Sequence, residues 1–443
     1  MQRHGYLVKR KGKNLGVLEL VAIALGGMIG GGIFTVLGVS VSLVGVFTPL
    51  AFLIGGFLAF LAVYSYIKLA VYYKDEGATY SFFKKTFPAS PFGASLIGWW
   101  VIFGYISTLA LYAYTFSSYA ISGFEFANND IIRKGVAGII ILIFTLVNVW
   151  SVKGMGRIED MMVYTKLIIL TLIAFVLINY ANTDIPTLLK SNEEFNILSV
   201  LIVASLTFVA FEGFQLVINA VNEMDKPEIN IPRSIYIALI LAILIYFILA
   251  YGAIVAIPFD NIIANQEYAL ASGADKILGH WGTNLVVLGA LLATSSAISG
   301  TLFGASRQMS VIAEDGYLPS VLTKRKNNIP YISIITMSIL AFSLILIGDL
   351  KVILEFGSVT FLLVSLLMAY TNFKIYKKTS SSLIITVSSI IGLTTGLVLI
   401  LYYEYTTQVE QLYFIGGLYL ALTLGAFAYS KSNKLYHKDK GYE

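Results

Sequence analysis

The chain has 443 residues, 57% of them hydrophobic and only 12% charged, with mean hydropathy +0.80 and a net charge of +5. Water-soluble domains carry about 45 to 50% apolar residues, so this composition describes an integral membrane protein and leaves nucleic-acid binding without support. The absence of cysteine excludes disulfides, thiolate metal sites and cysteine nucleophiles, and the three histidines, His4, His280 and His437, fall near the tails or in a predicted loop. A single membrane bundle without metal or cofactor is expected.

Apolar runs of about 20 residues predict helical spans. Twelve are expected, at 16–42, 47–73, 92–120, 132–151, 160–180, 196–221, 233–257, 283–312, 330–349, 352–376, 381–403 and 409–430. The first follows a basic tail but is too long for a signal peptide and lacks a clear cleavage site, so it is expected to be retained. Its middle reads Gly26-Gly27-Met28-Ile29-Gly30-Gly31-Gly32-Ile33-Phe34. Glycine costs about 0.8 to 1 kcal/mol relative to alanine inside a helix, so the run invites a break whose freed backbone groups a ligand could satisfy. The same glycines, spaced Gly26-x-x-x-Gly30 and Gly27-x-x-x-Gly31, also fit a face for close helix packing. The sequence leaves both readings open.

The sixth span carries its own interruption, Ala210-Phe211-Glu212-Gly213-Phe214, five helices after the first. Breaks in corresponding positions of two halves point to discontinuous helices facing each other in an inverted-repeat transporter. Two ionisable residues lie deep in spans, Lys166 in the fifth and Glu212 at the sixth-span break; a charge at a helix centre costs about 2.5 to 3.5 kcal/mol on insertion scales. Either is a candidate proton carrier, and Lys166 is equally a candidate donor to carbonyls freed by the first break. Lys68, Arg307, Glu19 and Glu355, nearer span ends, are expected to be structural and to snorkel. Thr294, Ser295, Ser296 and Ser299 form a hydroxyl cluster that either lines a sodium site or bonds its own helix carbonyls. Phe208, Phe211 and Phe214 are candidates for a lid over a ligand.

Basic residues concentrate in alternate connections: Arg3, Lys9, Arg10, Lys11 and Lys13; Lys74, Lys84 and Lys85; Lys153 and Arg157; Lys226 and Arg233; Arg307 and Lys324 to Lys326; Lys374, Lys377 and Lys378; and the C-terminal tail. The opposite set holds only Arg133, Lys134, Lys190, Lys276 and Lys351. By the positive-inside rule both termini are expected in the cytoplasm.

In order along the chain, several stretches resemble the amino acid, polyamine and organocation transporters. They are Gly27 to Phe34; Pro49 on to Tyr66-x-Lys68-Leu69-Ala70; Gly77-Ala78-Thr79-Tyr80; Asn148 and Gly154; Lys166-Leu167; Phe211 to Phe214 through Asn222-Glu223, Lys226-Pro227 and Ile231 to Ser234; Ser306-Arg307, Ala313 to Gly316 and Leu318-Pro319; and Gly357-Ser358. The resemblance spans about residues 15 to 378. It implies an all-α membrane protein of 12 transmembrane helices, a 5+5 inverted repeat with discontinuous helices 1 and 6, and two extra C-terminal helices, with helices 1, 2, 6 and 7 moving against a scaffold.

The expected organisation is an N-terminal cytoplasmic tail 1–14, a first repeat 15–180, a second repeat 181–378, helices 11 and 12 at 379–430, and a cytoplasmic tail 431–443. The resemblance further implies a substrate carboxylate on the backbone of Ile29, Gly30, Gly31, Gly32 and Ile33. The amine would sit on carbonyls at Phe208, Phe211 and Glu212. It places Lys166 where sodium-coupled relatives hold an ion, which suggests proton coupling, although members with that lysine also work as exchangers. Glu212 departs from the family, which commonly has a neutral residue there, and Gln215 stands where the family has an acid. A counter-charge for a cationic substrate and a second proton site both remain open for Glu212.

The resulting expectation is a plasma-membrane secondary transporter importing amino acids with protons by alternating access, its partners being a small-molecule amino acid substrate, protons and membrane lipid. Exchange of cationic amino acids or polyamines is the alternative, and a channel or a non-transporting sensor the remote one. An enzyme would need a nucleophile or metal cluster that the sequence does not offer.

Overall fold

The computed structural model describes residues 15–150, 153–181, 195–327 and 329–439. The basic residues Arg3 to Lys13 and Lys190, and the ends of both tails, lie outside them. Among the described residues the chain is helical, and extended pairing is confined to isolated bridges such as Leu15 with Met224. Nine stretches there are long and apolar enough to cross a membrane, and Val17–Met28 and Tyr331–Ile347 are shorter apolar helices. Outward-facing residues such as Leu142, Phe175, Ile391 and Leu420 present apolar side chains over the exterior, as a lipid-facing belt requires.

The helices are α1 (Val17–Met28), α2 (Gly31–Val44), α3 (Thr48–Tyr73), α4 (Ala78–Thr86), α5 (Pro91–Ile121), α6 (Asp130–Trp150), α7 (Lys153–Asn179) and α8 (Ile197–Leu206). They continue with α9 (Leu216–Asn219), α10 (Pro227–Ala256), α11 (Phe259–Ala264), α12 (Ala269–Glu314), α13 (Tyr331–Ile347), α14 (Leu350–Lys374), α15 (Leu383–Thr407) and α16 (Val409–Asp439). The expected first span is thus two helices, and the expected sixth is α8, a 3-10 turn at Thr207–Phe211 and the short α9. The expected eighth span lies inside α12, a 46-residue run kinked at Gly279, where φ is 61°. Proline at the start of α3, α5 and α10 fits helix N-termini, where a missing amide hydrogen is no loss.

Helix α1 packs on α10 and α12, α3 packs on α10 and α8, and α2 packs against the Thr207–Phe211 turn. Both breaks therefore meet in the interior of one bundle. Charged contacts cluster at its two ends. At one end Lys74 pairs with Glu228 (3.0 Å), Lys84 with Asp315 (2.7 Å), Arg325 with Glu314 (2.9 Å), and Lys85 with Asp75. At the other, Arg133 pairs with Glu267 (2.6 Å) and Lys134 with Asp130 (2.9 Å). The members of the two sets that form these pairs thus lie at opposite ends.

Glu355 corrects the expectation that it snorkels. Its side chain is fully buried on α14, 3.7 Å from Lys351, and Glu404 of α15, which the sequence reading missed, is fully buried in the same region. Arg307 folds back on its own helix, donating to the Phe303 carbonyl (2.7 Å) with its guanidinium 3.3 Å from the Phe303 ring centroid.

Candidate functional site at two helix breaks

Helix α1 ends at Ile29 (φ −85°, ψ 76°) and α2 starts after Gly30 (φ −113°, ψ −140°), so two residues leave helical geometry in the middle of an apolar segment. The carbonyls thereby exposed are met by side chains from three other helices. Lys166 of α7 donates through Nζ to the carbonyls of Gly26 (3.1 Å) and Ile29 (2.6 Å) and to Ser296 Oγ of α12 (2.7 Å). Tyr112 of α5 donates to the Gly27 carbonyl (3.2 Å). The Tyr246 hydroxyl of α10 lies 2.7 Å from the Met28 carbonyl and 2.8 Å from that of Ala210, so one hydrogen is shared between the two broken segments.

No side chain caps the start of α2. The amides of Gly31, Gly32 and Ile33 are the first of that helix, where the positive end of the dipole lies and where anions are generally favoured. All of Ile29 to Ile33 are buried.

The second break uses different means. The 3-10 turn Thr207–Phe211 ends at Glu212, whose backbone is extended (φ −74°, ψ 152°), and Gly213 follows with φ 119°, a conformation L side chains rarely adopt. A Cβ on Gly213 would lie 2.4 Å from the carbonyl carbon of Gly27, so the two breaks touch backbone to backbone. At Gly30 a Cβ would stand 2.7 Å from Ala297 and 2.8 Å from the Tyr112 ring. Residues 29 and 30 thus interrupt the helix, and glycines beside them permit close packing, so the break and the packing occur together.

Glu212 is 1% exposed. Its Oε2 accepts from Gln215 Nε2, while Gln215 Oε1 accepts from the Gly213 amide (3.0 Å), which fixes the carboxylate's direction. Glu212 Oε1 is buried without a hydrogen-bond partner. Phe208, Phe211 and Phe214 are fully or almost fully buried, with Phe211 against Tyr246 (5.1 Å between ring centroids) and Phe214 against Tyr66 (5.1 Å).

Every site residue expected from the sequence lies in this one region. In the hydroxyl cluster, Thr294 bonds back to its own helix at the Ala290 carbonyl (2.7 Å), and Ser296 accepts from Lys166 while donating to the Ala293 carbonyl (3.0 Å). Sequence reasoning missed Tyr66, Tyr112 and Tyr246. Among 28 tyrosines in an apolar chain, nothing local separates a carbonyl donor from packing or an interfacial anchor.

A sequence profile described as "Amino acid permease" matches residues 15–420. An uncharacterised protein of Methanocaldococcus jannaschii is 28% identical over 96% of this chain and 97% of its own length. The inner membrane transport protein YbaT of Escherichia coli is 28% identical over 93% of this chain and 95% of its own. The chloroplastic cationic amino acid transporter 7 of Arabidopsis thaliana is 26% identical over 79% of this chain and 63% of its own.

Proposed function

The chain belongs to the amino acid permease family, and on that premise we propose that it imports amino acids across the cell membrane together with protons, by alternating access. Membership makes it a multi-pass membrane transporter rather than an enzyme. The coupling, the site and the sidedness are our reading.

In it, the substrate carboxylate sits on the amides of Gly31, Gly32 and Ile33, with Ile29 and Gly30 forming the approach. The amine is held by carbonyls at Phe208, Phe211 and Glu212 at the end of the 3-10 turn. Phe208 and Phe211 close over the ligand. The end rich in lysine, with Lys74, Lys84 and Arg325, faces the cytoplasm, as the positive-inside rule favours. The chain then reads as two five-helix repeats, 15–180 and 181–378, followed by α15 and α16.

The observation that carries proton coupling is the grip of Lys166 on Gly26, Ile29 and Ser296. An ammonium has three N–H groups, matching three acceptors; a neutral amine has two. Losing the proton leaves one acceptor unmet, which costs about 1 to 3 kcal/mol when buried. That penalty falls on the segment joining α1 to α2, so protonation and the arrangement of the broken helix are linked.

The test is uptake of labelled amino acids into proteoliposomes under an imposed inward pH gradient, an inward sodium gradient, or preloaded unlabelled substrate. Accumulation driven by the pH gradient alone is expected. A sodium requirement, or uptake only into preloaded vesicles, would replace symport by sodium coupling or by exchange.

A further inference from the structure

Glu212 Oε1, beside the second break, is buried without a hydrogen-bond partner. Tyr66 of α3 neighbours Glu212, Gln215 and Ser365, and Tyr105 and Tyr112 of α5 lie close enough to Glu212 to interact with its charge. In a membrane interior an unmet polar group is strongly unfavourable, and a buried carboxyl there either keeps its proton or meets an opposite charge. Among the described residues no lysine or arginine is ion-paired with Glu212.

We propose that Glu212, framed by Tyr66, Tyr105 and Tyr112, forms a subsite for a second positive charge, so that the carried amino acid has a cationic side chain of the lysine or arginine type. The inference rests on the preceding reading that the two breaks hold the carboxylate and amine of an amino acid. Continuity between the subsites supports it. Tyr112 touches the first break at Gly30 and reaches the Gly27 carbonyl, while Gly32 abuts the backbone of Ala210, two residues from Glu212. A ligand anchored on α2 is thus bordered by groups that also frame the carboxylate. Gln215 holds Oε2 and leaves Oε1 as the open acceptor, while hydroxyl oxygens and tyrosine ring faces add attraction for a cation.

The experiment compares lysine with norleucine, which has the same carbon skeleton but no terminal charge, in proteoliposomes holding wild-type protein and the Glu212→Gln variant. Competition against a labelled substrate gives the preference ratio. Wild type is expected to favour lysine by at least about tenfold, the effect of one charged hydrogen bond, and Glu212→Gln to bring the ratio near one. Tyr66→Phe should lower it severalfold, which keeps a second variant available if Glu212→Gln does not fold. Wild-type preference for norleucine would overturn the subsite and leave amino acid transport standing. An unchanged ratio in Glu212→Gln would also overturn it, and loss of pH dependence alongside would make Glu212 a proton site. Failure of wild type to move any amino acid under any gradient would instead defeat the transport reading itself.

Discussion

Two buried charge-bearing side chains, Lys166 and Glu212, sit at neighbouring breaks and are treated in opposite ways. The amine meets two carbonyls and a hydroxyl at 2.6 to 3.1 Å, while the carboxylate has one oxygen held by Gln215 and the other without a partner. Identical burial with unequal satisfaction separates two jobs. On the proposed reading the fully met group ties the broken helix together, and the half-met one is where a ligand completes the site.

The comparison breaks most visibly at Lys166. Lys166→Ala removes the donor for Gly26 and Ile29 and should abolish accumulation driven by a pH gradient; accumulation at the wild-type level would deny the amine its role. Next in size is Gly213→Ala. Its Cβ would strike Gly27 at a φ of 119°, and overpacking of this kind costs about 1 to 3 kcal/mol before backbone strain is added. A marked fall in the midpoint of thermal unfolding in detergent is expected, and an unchanged midpoint would mean the two breaks are not in contact.

Stability without substrate sharpens the contrast. Removing an unpaired buried charge is neutral or stabilising, whereas removing a donor from paired acceptors is not. Thermal scans of the ligand-free protein should therefore place Glu212→Gln at or above wild type and Lys166→Ala below it. The reverse order would show that the carboxylate already has its partner.

The smallest effect comes from the rim and serves as a control. Burial alone would raise Asp75, but the hydrogen bond from Lys85 and the amide of Gly77 outweigh it and hold its carboxyl below the usual range. A lowered acid binds fewer protons folded than unfolded, so its contribution is present above about pH 4 and is lost as pH falls further through the folded value. Thermal unfolding scanned against pH should show this loss in wild type and lack it in Asp75→Asn. An equal acid response in both would assign it elsewhere.

The sequence carried the breaks because glycine runs and an in-span glutamate are locally improbable in a bilayer. Lys166 was legible for the same reason. The tyrosines were not. A helix buried on all sides has no polar face against which Tyr112 or Tyr246 would stand out, and each acquires meaning only through a carbonyl on a distant helix. The contact between Gly27 and Gly213 is likewise a fact of packing across 186 positions of chain. Glu355 misled because its distance from the span end suggested access to water, while its burial depends on α15 lying over it.

Proton movement read inside sealed vesicles tests the central claim most directly. With a pH-sensitive dye trapped in the lumen and no imposed gradient, adding external substrate to wild-type proteoliposomes should acidify the interior, and Lys166→Ala vesicles should stay flat. Substrate entry without acidification in wild type, or equal acidification in the variant, would contradict the account.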